Sequence, residues 1–310
     1  MECIHCKKED QVIKRGKKRN KYVTKQLYWC KRCSKYFVEH DGFEGRHYPK
    51  EIIAKAIHLH AEGMSLSKTR EYLYQHEGYK PYDDAILHWE KKYGDLLSKI
   101  SDNAKPKVKG RIHTDEKYMK KKGKVRYQIS SVDSKTKYNV QETFVKTRSK
   151  EECRRHFKKM KSKIGDQVRE MYEKERTKTK ENRHRITFVS DGFEGYKDGA
   201  KHYFGRMSKI VCGVPIGSRR YGLKHNNNPV ERHNEDVSQR YKIMRGFKSD
   251  ESAEAFLKLR TFVYNFVRPH QGLGKTPAEA AECNIPVGRN KILGLINYAV
   301  ANFYTIKLVC

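Results

Sequence analysis

Residues 111–146, RIHTDEKYMKKKGKVRYQISSVDSKTKYNVQETFVK, decide the fold. Three runs rich in Val, Ile, Tyr and Thr (RIHTDEKYMK, GKVRYQISSVD and KYNVQETFVK) are separated by KKKGK and DSKTK. β-Branched and aromatic residues bounded by turn-forming clusters spell short strands joined by tight reversals, so the segment reads as an antiparallel meander. Downstream, SKEECRRHFKKMKSKIGDQVREMYEKERTK is a long charged helical stretch with a break expected near Gly165. RITFVSD is a buried strand ending on Asp191, GYKDGAKHYF a helix and MSKIVCGVP a short strand. NPVERHNEDVSQRYKIMRGF and SDESAEAFLKLRTFVYNFVRPH close the series as two helices. The order β-β-β-α-β-α-β-α-α describes a mixed sheet with helices packed on it.

Upstream, residues 48–100 carry helical periodicity three times. YPKEIIAKAIHLHAEG stops at Gly63, SLSKTREYLYQHEG runs from a Ser cap to a second glycine, and PYDDAILHWEKKYGDLLSKI opens at Pro81. Three helices with short turns in a very basic chain fit a helix-turn-helix DNA reader, with a plain three-helix bundle as the alternative. In the DNA-reading arrangement the third helix enters the major groove through Tyr82, Asp84 and His88. Residues 101–110, SDNAKPKVKG, are polar and aperiodic and read as a linker.

Residues 1–40 hold two C-x-x-C pairs, Cys3/Cys6 and Cys30/Cys33. Two such knuckles can wrap one tetrahedral Zn²⁺, each chelating through a short turn, and the basic segment between them forms a hairpin. Redox dithiols or unligated cysteines are the competing readings. His5 lies inside a knuckle and reads as a surface residue. Cys153, Cys212, Cys283 and Cys310 are scattered and read as ordinary buried thiols without local activation.

Lys and Arg number 68 against 37 acidic residues, a formal charge of +31. Such an excess repels itself until a polyanion neutralises it, and nucleic acid is the natural partner. A basic membrane-surface protein would need a lipid motif or an apolar anchor, and neither is present. With no signal peptide and no long apolar run, the chain is expected to be soluble, cytoplasmic and nucleoid-associated.

Three carboxylates have unusual settings. Asp115 falls in the first strand, Asp191 at the carboxyl end of the fourth, and Glu231 in the first turn of the helix opened by Asn228 and Pro229. Side chains at carboxyl ends of such strands open into a crevice. If strands one and four are neighbours, the two aspartates converge and the late helix lays Glu231 across them. Converging carboxylates need cations, which is the requirement of a two-metal phosphoryl-transfer site holding Mg²⁺ or Mn²⁺. Glu231 has a bland alternative, reaching back to cap its own helix. Glu116 alternates to the opposite strand face and is expected to stay out of the site. Asp198 replaces Asp191 only if the strand ends later. Asn234 suits orienting DNA or a bound water, Glu235 suits an ion pair, and Arg240, Lys242 and Arg245 suit DNA phosphates. His270, in RPHQGLGKTP, reads as a structural turn residue.

These motifs (HTDEKYMK with VRYQISSVD, FVSDGFEGY, NNNPVERHNEDVSQRYKIMRGFKS and YNFVRPHQGLGKTPAEAA) resemble those of DDE transposases of bacterial and archaeal insertion sequences. The resemblance covers residues 1–282, and N-x-x-E-x-x-N-x-x-V-x-x-R, Asn228 to Arg240, is its most specific motif. It implies a multidomain chain with a zinc ribbon at 1–40, a helix-turn-helix at 48–100 and a linker at 101–110. An RNase H-like catalytic core, an α/β mixed five-stranded sheet flanked by helices, follows at 111–282. It leaves 283–310 as a tail of unknown role. It implies Asp115, Asp191 and Glu231 as the catalytic D-D-E set, transposon ends and target DNA as partners, and a homo-oligomer on DNA. The spacing from Asp191 to Glu231 is longer than usual, which a loop over GVPIGSRRYGLKH accounts for. Two rivals stay open, a non-catalytic DNA-binding regulator built on the same scaffold and an RNase H-fold nuclease.

Overall fold

The computed structural model describes residues 1–39, 41–179, 182–213, 227–244 and 246–303, with the side chains of residues 240, 243 and 244 left out. The chain divides into two compact units. The first comprises residues 1–60, 64–99 and the segment from 287 onward; the second comprises residues 61–63 and 100–286.

The first unit begins with a three-stranded antiparallel sheet, β1 (Val12–Arg19), β2 (Thr24–Cys30) and β3 (Lys35–Val38), in sequential order. Three helices follow, α1 (Lys50–Glu62), α2 (Leu66–Glu77) and α3 (Asp83–Asn103). α2 shows the local rules at work. The Ser65 hydroxyl accepts from the Lys68 amide at 3.2 Å, and Gly78, at φ +73°, turns back to the Leu73 and Tyr74 carbonyls. Ile53, Ile57, Leu73, Ile86, Tyr93 and Leu97 are fully buried, each worth about 1.5–3 kcal/mol of transfer free energy. Buried His60 on α1 is hydrogen-bonded to Glu90 on α3. α3 runs to Asn103, so the expected linker begins inside a helix.

The second unit is built on a mixed five-stranded sheet. Its strands are β4 (Ile112–Lys121), β5 (Lys124–Asp133), β6 (Asn139–Val145), β7 (Thr187–Ser190) and β8 (Lys209–Val211), in the order β6-β5-β4-β7-β8. The first three form the expected meander. Lys122 and Gly123, at φ +45° and +80°, make the primed turn that matches strand twist between β4 and β5. β7 pairs parallel to β4, and β8 parallel to β7. Strands one and four are therefore neighbours. The last six residues of β5 are all buried, as a central strand covered on both faces requires.

The covers are α4 (Lys150–Glu175), α5 (Glu194–Phe204), α6 (Asn228–Met244) and α7 (Asp250–Phe266), followed by the short α8 (Pro277–Ala280). α4 packs on β6 and α5, α6 on β4 and β5, and α7 on β6. The break expected at Gly165 is absent, and α4 is continuous. A helical glycine costs only about 1 kcal/mol, less than what burial of Ile164 and Val168 on either side returns. His156 is fully buried in this layer, bonded to Ser131 at 2.8 Å and Thr143 at 2.9 Å. The tail left without a role contains one more helix, α9 (Lys291–Phe303), in the first unit. Its Ile292, Leu295, Ile296 and Ala299 form a buried stripe, Val300 packs against Gly42, and Lys99 Nζ donates to the Phe303 carbonyl at 3.1 Å.

Candidate metal centres

The register of β4 and β7 delivers two aspartates side by side. Thr114 pairs with Ser190 at the end of the ladder, and Asp115 and Asp191 are the next residues on each strand. Neighbouring strands lie about 4.8 Å apart, so both side chains leave the sheet at the same point. One carboxylate oxygen each from Asp115, Glu116 and Asp191 lies within 4.8 Å of the other two. Asp191 is fixed by accepting from the Phe193 amide at 3.0 Å, and Asp115 by accepting from Asn234 Nδ2 at 3.1 Å.

Glu231 stands one helical turn before Asn234 on α6 and lines a cleft of about 370 Å³ with Asp115, Glu116, Asn234, Glu235 and Lys242. It lies outside the closest oxygen group, which among the described residues contains Glu116 instead. Its Oε1 is buried with no hydrogen-bond partner, so that oxygen does not cap the helix. α6 opens at Asn228, and the Asn227 carbonyl accepts from the Val230 and Glu231 amides at 3.0 Å.

The exclusion of Glu116 is corrected. It does alternate from Asp115 and stays paired to β5 on one side, but β7 ends at Ser190, so on the other side β4 has no strand neighbour from Asp115 onward. Glu116 is buried, ion-paired with Arg148 at 2.5 Å and hydrogen-bonded by the Tyr196 hydroxyl. No motif in the sequence marks Arg148 or Tyr196 as a partner of Glu116. Arg148 immediately precedes the Ser149 cap of α4, a position that carries no chemical signature.

Electrostatics agree with the packing. Burial, then the charge of Glu116, then those of Asp191 and Glu231, push the Asp115 carboxyl up to about 7. Burial also raises Glu231, and it raises Glu116 against the pull of Tyr196 and Arg148. A site that penalises its own charges in this way is matched to cations. The donor set is all hard oxygen, with one buried oxygen unpaired, and fits Mg²⁺ or Mn²⁺.

Other expectations fall as follows. Asp198 is ion-paired with Arg154 at 2.7 Å and held low by it. Glu235 and Lys242 are exposed at the cleft. The side chain of Arg240 and all of Arg245 lie outside the described residues. Tyr82, at 81% exposure, with Asp84 and His88 also exposed, presents an open surface at the start of α3. The His270 ring accepts from the Gly272 amide at 3.2 Å. Burial pushes the Cys153 thiol up to about 12, which removes it as a nucleophile. Cys212 and Cys283 are only half-buried, and Cys310 lies outside the described residues.

The second centre is the cysteine cluster. Cys3, Cys6, Cys30 and Cys33 bring their sulfurs within 4.8 Å of one another, with Cys3–Cys33 and Cys6–Cys30 at 3.7 Å. The thiols are free, and tetrahedral Zn²⁺ with Zn–S near 2.3 Å needs an edge of about 3.8 Å. Each knuckle ends on a residue of positive φ, Lys7 at +57° and Ser34 at +51°, which turns the chain around the sulfurs. The Cys33 amide lowers the Cys30 thiol to about 7, while burial pushes the Cys33 thiol up to about 12 and also raises Cys6. Among the described residues, the cluster packs against one buried apolar side chain besides its cysteines, Phe37, with Ile4, Val12 and Tyr28 partly covered. The donor set fits structural zinc. The His5 ring stands edge-on to Phe37, at 6.2 Å.

No family model matches the chain, and no curated protein matches it. Seventeen chains of solved structures match, among them the following two. One is the HTLV-2 integrase catalytic core domain in complex with magnesium (trimeric form), at 12% identity over 56% of this chain and 97% of that one, TM-score 0.35. The other is a simian T-cell lymphotropic virus intasome in complex with PP2A regulatory subunit B56 gamma, at 11% identity over 76% of both chains, TM-score 0.36. At those scores the two centres stand on their own geometry.

Proposed function

We propose that the chain is a DNA transposase of the D-D-E class, cutting and joining DNA strands at the cleft beside Asp115, Asp191 and Glu231. The observation that carries the reading is the adjacency of Asp115 and Asp191 on parallel neighbours, with Glu231 lining one cleft with Asp115, in a chain of charge +31. Asp115, Asp191 and Glu231 would hold Mg²⁺ or Mn²⁺, with Glu116 beside them. Cations held there would supply activation of a water or 3′-hydroxyl and charge stabilisation of the leaving 3′ oxygen. Asn234 orients Asp115 through its amide. Lys242, at the cleft, would serve the DNA phosphates, and Arg240 and Arg245 of the same sequence stretch are proposed for the same role. The zinc-binding knuckles and the three-helix segment, with Tyr82, Asp84 and His88, would recognise element ends, and two ends would be brought together by a homo-oligomer. Among the described residues no helix is long and apolar enough to cross a membrane.

The test is Mn²⁺-dependent nicking and joining of supercoiled plasmid. Asp115→Asn, Asp191→Asn and Glu231→Gln should each lower nicking more than a hundredfold while DNA binding persists. Joined products separate a transposase from a nuclease. Undiminished nicking by both Asp→Asn variants would refute the site.

A further inference from the structure

Tyr118 is 54% exposed at the mouth of the carboxylate cleft, three residues beyond Asp115 on β4. The Tyr118 ring is held still. Arg148 Nη1 donates to its hydroxyl at 2.8 Å, while the same guanidinium is ion-paired with Glu116 and lies 4.1 Å over the Phe193 ring. On the partner strand, Tyr127 sits directly opposite, its ring 5.0 Å away at 61°. Val125, 45% exposed, lies on the same hairpin among exposed Lys120, Lys122 and Lys124. The hairpin thus presents a fixed aromatic surface beside the candidate catalytic carboxylates, ringed by cations.

We propose that Tyr118 stacks an unpaired base of the DNA strand whose phosphate lies at the carboxylates, so that the preferred substrate is a frayed or single-stranded end. The inference rests on the DNA-processing reading of the cleft. Charge and reach favour this occupant. The lysines attract a phosphate backbone, and a ring face accepts any base. Three residues of strand span about 10 Å, which sets the stacked base one to three nucleotides from the reacting phosphate. Duplex DNA keeps its bases stacked inward and offers Tyr118 no free ring.

The experiment uses the full chain in Ca²⁺, without turnover, and two DNAs carrying 2-aminopurine near one 3′ end, one blunt and one with three unpaired nucleotides. Wild type should bind the unpaired end more tightly and quench its 2-aminopurine. Tyr118→Ala should weaken that binding about 5- to 140-fold, as loss of one stacked base implies, and abolish the quench. Blunt binding should stay unchanged, and Tyr118→Phe and Tyr118→Trp, which keep an aromatic face but lose the Arg148 hydrogen bond, should retain the quench and most of the binding. Equal weakening on both DNAs, or a Tyr118→Phe defect as large as that of Tyr118→Ala, would overturn the stacking role. So would tight Tyr118→Ala binding to the unpaired end. In each of those cases DNA binding itself remains, so the transposase reading survives; a chain that binds neither DNA sinks both.

Discussion

Asp115→Asn should make the metal-free protein more stable while making it inactive. Burial and the neighbouring carboxylates raise Asp115 from its ordinary 3.8 to about 7. In the folded state it keeps a proton that the unfolded chain has lost between those values. Stability from this group is therefore fully present below 3.8 and drains away as pH rises through about 7. By linkage the loss at pH 8 is about 4 kcal/mol. Asparagine keeps the shape and cannot ionise. In chelator at pH 8 the variant should gain up to that amount, about 10 °C in melting temperature for a unit this size. At pH 4 the two proteins should nearly coincide. Millimolar Mn²⁺ should then narrow the pH 8 gap by stabilising wild type alone, since the cation favours the ionised carboxylate. Thermal unfolding followed by circular dichroism reads all three. An equal gap at pH 4 and pH 8, or no gap at pH 8, would refute the account.

Zinc removal, or Cys30→Ser, should release one Zn²⁺ per chain and open residues 12–38 to proteolysis, because the ribbon's own core is so small; a protease-resistant metal-free ribbon would count against structural zinc. His156 is fully buried and held down to about 3, first by burial and then by Lys163 and Lys159. The stability it lends is whole above 6.5 and is lost as pH falls toward 3, by up to about 5 kcal/mol. His156→Gln should flatten that acid limb in urea titrations, and an unchanged limb would show that other groups set it. DNA affinity should fall at least about a thousandfold between 50 and 200 mM salt if six or more phosphates are neutralised, measured by fluorescence anisotropy.

The parts of the fold legible in sequence were those encoded locally. The meander, the Ser65 cap and the stop at Gly78 each depend on a few adjacent residues. The convergence of Asp115 and Asp191 was conditional on strands one and four being neighbours, and the register supplies that condition. Glu116 was misread because alternation treats a strand as endless, whereas β7 has only four residues. Gly165 misled for the opposite reason, a local breaker outvoted by tertiary burial. Arg148 and Tyr196 meet Glu116 only through contacts spanning 32 and 80 positions, beyond any motif. α9 carried a clear 292-295-296-299 apolar stripe, but nothing in that stripe says which unit it completes.

That last helix sets an order of events during synthesis. The first unit is interrupted by the second, and α9 arrives about 200 residues after Lys99. At ribosomal speeds of 5–20 residues per second, roughly 10–40 s pass before the stripe that Val300 adds against Gly42 can be laid down. For that interval the nascent chain carries an unfinished first unit, while strands and helices of the second are already emerging. If the first unit reads DNA only when complete, recognition waits until residues 100–286 have been made.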